Sequence, residues 1–402
     1  MKIKFVSPVG EIGGAEQVML QLLACLRPEH EVSVVLMSGG PLEERIRALD
    51  VPCDILPLPK AWEEVGESQE SKQSLLHLAA VAPLRGWGLY SYVNRLSAYL
   101  RREPSGILHT NGIKAHLVTA LARPKSAKLV WHIHDYVGRR PIARRALRLL
   151  SRRADLGLGV SRSVVADLQM TLPRLPVVCV PNAVDELRFF PGPSPQNFLE
   201  SQAGLPPSPA LRIGLVATYA RWKGHRLFLD AFCKAAAANG PDPLRGFIVG
   251  GPIYRTGGSQ VSATELRRWI GEAGMSSQIG LVPFQLETMN AYRALDVVVH
   301  ASTSPEPFGL TIAEAMACGR AVVVADSGGA SEIVTHEHDG LLYEAGNVDA
   351  LAAAMSRLSR DRDLRHRLST EATKTIRRRF SPAIAQQLLV EAYRKVLAPP
   401  YR

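Results

Sequence analysis

Residues 304–319 read SPEPFGLTIAEAMACG and lie between two short apolar runs, Asp296 to His300 and Ala321 to Ala325. The apolar runs are typical of buried parallel strands, so the residues between them predict a loop followed by a helix. We expect the helix to begin near Gly309 or Leu310. The free backbone N–H groups at its start, together with the positive end of the helix dipole, suit phosphate oxygens.

Two carboxylates fall within this stretch, Glu306 in the loop and Glu314 in the first turns of the helix. We expect both to border one crevice, where a carboxylate accepts hydrogen bonds from the vicinal hydroxyls of a sugar. For either residue alone, the alternative is that acidic side chains favour helix N-termini, an effect of about 0.3–1 kcal/mol. The pattern of the whole stretch favours a ligand site.

The rest of the chain alternates short apolar runs with longer amphipathic stretches, which is typical of βαβ units and a mainly parallel sheet. The alternation stops in a proline-rich stretch and then begins again. We therefore predict an α/β chain of two doubly wound domains, 1–185 and 211–382, with a linker at 186–210. A last helix within 383–402 is expected to return to the first domain. The predicted strands are Ile3 to Val6, Val32 to Met37, Ile107 to His109, Leu129 to Ile133, Leu156 to Val160, Ile213 to Val216, Phe247 to Val249, Val297 to Val299 and Ala321 to Ala325, and the predicted helices include Glu16 to Leu26 and roughly 73–101.

Composition narrows the class of protein and its partners. The 402 residues include 48 Lys and Arg against 37 Asp and Glu, a formal net charge of +11. Such an excess favours an anionic partner: nucleic acid, a phosphorylated small molecule or an anionic bilayer surface. No apolar run approaches the ~18 residues of a membrane span, and the basic start MKIKFVSPVG breaks too early for a signal peptide. The five cysteines lack C-x-x-C spacing, which favours the cytoplasm over a disulfide scaffold.

The stretch at 304–319 resembles the E-x7-E motif of the retaining nucleotide-sugar glycosyltransferases of family 4, which have the GT-B fold. The segments DSGGASEIV at 326–334 and DGLL at 339–342 are similar to the family as well. The resemblance implies two Rossmann-like domains facing across a cleft, with the donor chiefly on the second and the acceptor on the first. It implies that Glu306 lies near the donor sugar and that Glu314 holds the ribose hydroxyls. The residues whose main-chain groups it places against the donor are Phe308, Gly309, Leu310 and Thr311.

A glycine pair, Gly13 and Gly14, opens the helix after the first predicted strand. The pair is not the spaced G-x-G-x-x-G of a dinucleotide fold. Two residues without side chains let a diphosphate or an acceptor approach the backbone, and a tight turn that needs glycine is the alternative. The resemblance implies that this pair contacts the donor diphosphate and the acceptor.

A basic pair, Arg221 and Lys223, follows the first predicted strand of the second domain. A departing diphosphate gains negative charge in the transition state, so cations placed there stabilise it. The resemblance implies this role for a lysine before glycine, which Lys223 matches. It also implies an arginine a few residues upstream, where this chain has Thr218, so Arg221 fills that role only through a shortened loop. A solvated helix start is the alternative for the pair.

Two histidines, His132 and His134, share one face of a predicted strand. An H-x-H pattern at a strand end predicts a zinc site of the amidohydrolase kind, whereas the resemblance implies one histidine that hydrogen-bonds the donor sugar. A structural histidine is the third alternative. The sequence HDY at 134–136 is similar to the family and favours His134. No further ligands accompany the pair at convincing spacing, so we expect no metal.

Two other patterns favour surface roles. The segment Asp361-Arg362-Asp363 has the D-x-D spacing of metal-dependent glycosyltransferases, but it lies between helical stretches and predicts a helix start. The run 139–153 is rich in arginine and predicts a solvated helix face, with anionic lipid and a phosphorylated acceptor as alternatives. No aromatic-interleaved motif supports nucleic acid. The arginines at helical spacing are Arg144, Arg145, Arg148 and Arg152.

The resemblance thus implies a retaining, metal-independent hexosyltransferase without a resident cofactor. Its donor is a nucleotide-diphosphate sugar, with a UDP-sugar favoured over a GDP-sugar, and its acceptor is a glycan, lipid-linked or small-molecule hydroxyl. We expect it in the cytoplasm, in peripheral contact with the inner face of an anionic membrane. The alternatives are a nucleotide-sugar epimerase of the same fold, a non-catalytic sugar-nucleotide binder and an H-x-H metal hydrolase. The acceptor region is expected within 58–105, which resembles no known motif.

Overall fold

The computed structural model describes residues 1–59, 62, 82–240, 243–252 and 259–398. The chain divides into two compact units, the first made of Met1–Ala183 with Pro382–Arg402 and the second of Val184–Ser381. Each unit contains a parallel sheet flanked by helices, as the alternating pattern predicts.

The first unit contains a seven-stranded parallel sheet. Its strands are β1 (Lys2–Ser7), β2 (Glu31–Leu36), β3 (Cys53–Ile55), β4 (Ile107–Asn111), β5 (Lys128–Ile133), β6 (Leu156–Gly159) and β7 (Val177–Cys179). They follow the order β3-β2-β1-β4-β5-β6-β7, and every neighbouring pair is parallel. The order changes direction between β1 and β4. Doubly wound sheets bind their ligands at such a point, beyond the carboxyl ends of the strands.

Helices connect these strands, as expected for parallel neighbours. They are α1 (Gly14–Leu26), α2 (Pro41–Arg47), α3 (Ala82–Arg102), α4 (Ile113–Ala122), α5 (Pro141–Leu150) and α6 (Arg162–Thr171), with single 3-10 turns at Val137–Arg139 and Ser151–Arg153. Helix α3 corresponds to the helix predicted at roughly 73–101. The predicted residues 73–81, and much of the acceptor region expected at 58–105, lie outside the described residues.

The second unit contains a six-stranded parallel sheet. Its strands are β8 (Leu211–Val216), β9 (Leu244–Val249), β10 (Ile279–Val282), β11 (Val297–His300), β12 (Ala321–Ala325) and β13 (Leu341–Tyr343), and its helices are α7 (Phe198–Ala203), α8 (His225–Ala238), α9 (Ala263–Glu272), α10 (Thr288–Ala294), α11 (Leu310–Ala317), α12 (Gly328–Ser331), α13 (Val348–Arg360) and α14 (Arg362–Arg379). The strand order is β10-β9-β8-β11-β12-β13. Strands β11 and β12 are buried along their whole length, because helices cover both faces of a parallel sheet.

Local signals explain where two of these helices begin. Helix α11 begins at Leu310, as predicted, after Gly309 with a φ of 105°. Helix α14 begins after Asp361, whose side chain accepts a hydrogen bond from the Leu364 N–H at 2.8 Å. The interpretation of the D-x-D segment as a helix start is therefore confirmed, since Asp361 is an N-cap.

The proline-rich stretch 186–210, for which the sequence predicts a linker, is packed into the second unit. Phe189 is buried in it. The buried carboxylate of Glu200 accepts a hydrogen bond from Arg212 Nε on β8 at 2.8 Å. The prolines remove helix and strand periodicity from the sequence without separating the stretch from the domain core.

The last helix, α15 (Pro382–Leu397), belongs to the first unit. It packs against α1. The buried Tyr393 hydroxyl lies 2.6 Å from Nδ1 of His109 on β4. Helix α15 therefore covers the sheet next to the strand pair at which its order changes direction.

Candidate functional site

The carboxylate of Glu306 is the centre of a polar cluster in the second unit. Its Oε1 accepts a hydrogen bond from Lys223 Nζ at 2.7 Å and lies 2.9 Å from His300 Nε2. The Ser302 hydroxyl donates to the same oxygen. The side chains of Glu306 and Lys223 are 7% and 15% exposed. Burial opposes ionisation of Glu306, but Lys223 and His300 outweigh it and hold the pKa of this carboxyl well below its ordinary value.

A 3-10 turn at Arg221–Lys223 brings Lys223 to this cluster. The next residue, Gly224, has a φ of 74°, and a Cβ there would lie 1.7 Å from the carbonyl oxygen of Ala301. The Thr303 N–H donates to the Trp222 carbonyl at 2.8 Å. Only glycine allows this close contact between the turn and the end of β11, so the Lys-Gly pair places the ammonium beside the residues that follow the strand.

The loop that carries Glu306 ends at the N-terminus of α11. The backbone N–H groups of Leu310 and Thr311 donate to no residue in the described part of the chain. A Cβ at Gly309 would lie 2.9 Å from the side chain of Ile312, and the φ of 105° also favours glycine at this position. Two unpaired donors and the positive end of the dipole lie a few residues after Glu306, an arrangement that suits an anion.

Glu314, one turn into α11, has a different environment. Its Oε2 accepts a hydrogen bond from the hydroxyl of Tyr292 at 2.8 Å. Burial raises the pKa of Glu314 to about 7, although the Tyr292 hydrogen bond and the charge of Arg188 both act to lower it. A carboxyl with this pKa ionises near neutral pH, and donors from a bound hydroxyl pair would favour its charged form.

Arg221 and Lys223 pair with different acidic residues. Its two Nη atoms donate to the two carboxylate oxygens of Glu265 on α9, at 3.2 and 3.3 Å. Its side chain is 51% exposed. The structure thus pairs Lys223 with Glu306 and holds Arg221 in an exposed ion pair with Glu265.

Three histidines of the first unit, His109, His132 and His134, form an array on and directly after β4 and β5. His109 Nε2 lies 3.2 Å from His132 Nδ1, and the rings of His132 and His134 are 4.1 Å apart. Burial lowers the pKa of His134 to about 4 and that of His132 well below its ordinary value, so both are neutral at pH 7. His132 is enclosed by this array. His134 is partly exposed. The Nε2 atoms of both His132 and His134 are buried and have no hydrogen-bond partner among the described residues.

The array does not have the composition of a metal site. Within the described ranges, no group of three or more His, Cys, Asp or Glu residues could hold a metal ion. His132 is hydrogen-bonded to His109, and His109 is in turn hydrogen-bonded to the hydroxyl of Tyr393. The described residues therefore offer no ligand set for the H-x-H hydrolase interpretation.

Gly13 and Gly14 lie exposed at the start of α1. Gly13 has a φ of −110°, and Gly14 is the first residue of the helix. Neither conformation requires glycine, so the tight-turn alternative is wrong for this pair. The close backbone contact of this loop occurs instead at Gly10, where a Cβ would lie 2.3 Å from the Gly39 carbonyl oxygen.

Two family models match the chain, "Glycosyltransferase Family 4" over residues 12–188 and "Glycosyl transferases group 1" over residues 199–375. Together they cover every strand of both sheets except β1. The chain belongs to glycosyltransferase family 4. The resemblance seen in the E-x7-E stretch is thereby confirmed.

Curated relatives of this family-4 chain match parts of it. It is 32% identical to "Lipopolysaccharide core biosynthesis mannosyltransferase LpsB" of Rhizobium meliloti (strain 1021) over 218 residues, 54% of this chain and 58% of that protein. It is 26% identical to "Mannosylfructose-phosphate synthase" of Agrobacterium fabrum over 57% of this chain and 50% of that protein. The family-4 chain therefore spans between half and three-fifths of the length of these relatives.

Solved structures match the family-4 chain along nearly its whole length. Anabaena Alr3699/HepE, solved in complex with UDP, has a TM-score of 0.80 at 23% identity, over 98% of this chain and 100% of that one. A glycosyltransferase from Rickettsia africae has a TM-score of 0.79 at 18% identity, over 98% and 99%. The fold is GT-B, as predicted from the resemblance.

The sequence did not single out several residues that complete the site of this family-4 chain. His300 ends β11, Ser302 follows it, and both contact Glu306. Tyr292 on α10 contacts Glu314, and Glu265 binds Arg221. The available signal for the first two was their place at the carboxyl end of a buried strand, directly before the motif. Nothing local marked Tyr292 or Glu265, which lie 22 and 44 residues from their partners.

Proposed function

We propose that this chain is a retaining glycosyltransferase that moves a sugar from a nucleotide-diphosphate sugar to a hydroxyl acceptor. The observation that carries the proposal is the cluster of Lys223, Glu306, His300 and Ser302 beside the unpaired N–H groups of α11. A cation and a helix N-terminus suit the diphosphate, and a carboxylate held between them suits sugar hydroxyls.

In this proposal Lys223 stabilises the negative charge that grows on the leaving diphosphate. Its ammonium is already oriented by Glu306 at 2.7 Å, so little reorganisation is needed when the charge develops. The N–H groups of Leu310 and Thr311 would bind phosphate oxygens, and main-chain groups of Phe308 and Gly309 would line the same surface. Glu306 would orient the sugar, as the resemblance implies.

The proposal needs no metal and no resident cofactor, because fixed protein charges take the place that Mg²⁺ fills in other nucleotide-sugar sites. Arg221 is proposed as the second cation. An exposed ion pair such as that with Glu265 contributes only about 0.2–1 kcal/mol, so a bound diphosphate can redirect the guanidinium. For the family, same-face attack assisted by the leaving phosphate accounts for retention of configuration.

On the first unit, we propose that His134 faces the sugar and that Gly13 and Gly14 allow close approach of diphosphate and acceptor. His134 is neutral and, unlike His132, partly exposed, which supports a hydrogen-bonding role over a charged one. A UDP-sugar is the favoured donor, since the solved relative from Anabaena was crystallised with UDP and with UDP-glucose. A GDP-sugar is second, and the acceptor class and the cytoplasmic location stay predictions from the sequence.

Binding of the donor should depend on pH through Glu314. The ribose hydroxyls donate to a carboxylate, so they bind the ionised form, and the free site has a pKa of about 7. We expect the UDP-sugar to bind about tenfold more tightly at pH 8 than at pH 6, with release of a proton near pH 7. Titration calorimetry in two buffers of different ionisation enthalpy measures both quantities.

Two variants and a control sharpen this test. Glu314→Gln should remove the pH dependence. Tyr292→Phe should move its midpoint above pH 7, because the lost hydrogen bond is one that lowers the pKa of Glu314. The exposed Glu344→Gln is the matched control. Affinity that stays constant from pH 6 to pH 8 in the wild-type protein would contradict a ribose-binding carboxylate at this position.

The two other nucleotide-sugar hypotheses predict different products. An epimerase changes the sugar of the donor with no acceptor present, and a non-catalytic binder returns the donor unchanged under all conditions. We expect slow release of free sugar and nucleoside diphosphate from the donor alone, and faster release when a hydroxyl acceptor is added. The intact pair of Lys223 and Glu306 argues for catalysis.

A further inference from the structure

Helix α5 exposes apolar and basic side chains on one face. Ile142 and Leu149 are 85% and 80% exposed. They are seven residues apart, so they lie on the same side of the helix two turns from each other. Arg145 and Arg148 follow the same side, and Arg152 comes directly after the helix, in the 3-10 turn Ser151–Arg153. All three arginines are exposed. We name this set of five residues the α5 face.

Among the described residues, no acidic side chain pairs with the positive charges of the α5 face. Residues 136–154 contain seven arginines and no Asp or Glu. The acids at the two ends of this segment are occupied, since Asp135 pairs with Arg140 and Asp155 pairs with Arg123. In the described part of the chain, no ion pair involves Arg144 or the three arginines of the α5 face. Their charge is directed outward.

Two exposed aromatic side chains lie on another helix, in the layer of helices that contains α5. Helix α3 packs against α4, and α4 packs against α5. Trp87 and Tyr90 on α3 are 73% and 61% exposed, with ring centroids 5.9 Å apart. Aromatic rings of this kind are favoured at the level of lipid headgroups. Helices between parallel strands run opposite to them, so the first turns of α3 and α5 both lie at the edge where the strands end.

We propose that the α5 face docks the protein on an anionic phospholipid bilayer. Large aliphatic side chains enter the headgroup boundary while arginines beside them bind lipid phosphates, which is how interfacial amphipathic helices attach. No helix in the described ranges is long and apolar enough to cross a membrane, and this contact needs none. The inference stands on the first unit alone and does not depend on the proposed function.

Vesicle flotation of the full-length protein tests the proposal without any activity assay. We expect the protein to float with vesicles that contain phosphatidylglycerol and to stay behind with pure phosphatidylcholine. The double variant Ile142→Ser with Leu149→Ser should bind the anionic vesicles at least about tenfold more weakly. Arg145→Gln with Arg148→Gln should weaken binding similarly. Half-molar salt should remove the contribution of the arginines to binding, because it screens their attraction to the lipid phosphates.

The control variant is Arg101→Gln with Arg102→Gln, which removes the same charge from the other end of α3 and should leave binding unchanged. Because all these side chains are exposed, thermal unfolding midpoints should stay at the wild-type value. The proposal is overturned if the protein does not bind anionic vesicles or if the Ile142→Ser, Leu149→Ser variant binds like the wild type. It is also overturned if the control variant loses as much vesicle binding as the Arg145→Gln, Arg148→Gln variant.

Discussion

Replacement of Lys223 by methionine is expected to lower kcat by about 10²–10³-fold while changing KM much less. Methionine keeps much of the volume of the side chain and removes its charge. In the structure the ammonium lies 2.7 Å from Glu306 Oε1 and 4.3 Å from the centre of the Trp222 ring. It is therefore held in place before substrate binds, and its largest contribution should come when charge builds on the leaving group.

The same substitution removes the cation that keeps Glu306 ionised, so stability must be measured beside activity. Breaking a buried ion pair costs about 3–5 kcal/mol when one charge is left alone, and less where the pair is partly exposed. Lys223→Met combined with Glu306→Gln should recover most of the lost stability and none of the lost turnover. The control is Lys234→Met, whose exposed ammonium pairs with Asp349. If the double variant regains wild-type kcat, Lys223 has only a structural role.

Acidification is expected to destabilise the first unit between pH 6.5 and pH 4. Four histidines in β4, α4 and the end of β5 are held neutral by burial, with a pKa of about 3 for His116 and about 4 for His134. The pKa values of His109 and His132 are also well below the ordinary value. A depressed histidine pKa means that the unfolded chain binds more protons, so the stability is complete above pH 6.5 and falls as the pH drops.

The expected loss is about 2 kcal/mol for each fully buried histidine at pH 5, since one pKa unit corresponds to ~1.4 kcal/mol. Hydrogen exchange of peptides from β4, β5 and α15 measures the stability of the first unit alone. A measurement on the whole chain would mix two effects, because the raised pKa of Glu314 makes the second unit more stable as the pH falls. His116→Gln keeps a partner for Thr110 and should lower the proton uptake by about one. Exposed His338→Gln is the control. Protection that stays constant from pH 7 to pH 5 would contradict the assignment of these histidines as buried and neutral.

The fold could be predicted because strong local signals agree with it. Apolar runs mark nine of the thirteen strands in the described residues, and the glycine before Leu310 marks the start of α11. The other four, β3, β7, β10 and β13, have only three or four residues each and were not predicted. The proline-rich stretch at 186–210 could not be assigned from local pattern, since prolines remove the same periodicity whether a segment is a linker or packs against a domain. Its place in the second unit depends on long-range contacts such as that of Glu200 with Arg212.

Sequence patterns single out the candidate site residues that belong to a local motif. They do not single out residues that come close to these only when the chain folds. Glu306 and Lys223 are 83 residues apart, yet each is marked by its own local pattern. His300 and Ser302 have no such pattern and reach Glu306 because β11 ends beside the loop. The direction of Arg221 could not be predicted either, because it depends on Glu265 in a separate helix.

We propose that the second unit binds a nucleotide-diphosphate sugar through fixed protein charges. Titration calorimetry of UDP-, GDP- and ADP-sugars in EDTA is the decisive test. We predict saturable one-to-one binding of the sugar nucleotides of one base, unchanged when Mg²⁺ or Mn²⁺ replaces EDTA and markedly weaker in Lys223→Met. Binding that appears only with a divalent metal, or no binding of any of the three under either condition, would contradict it.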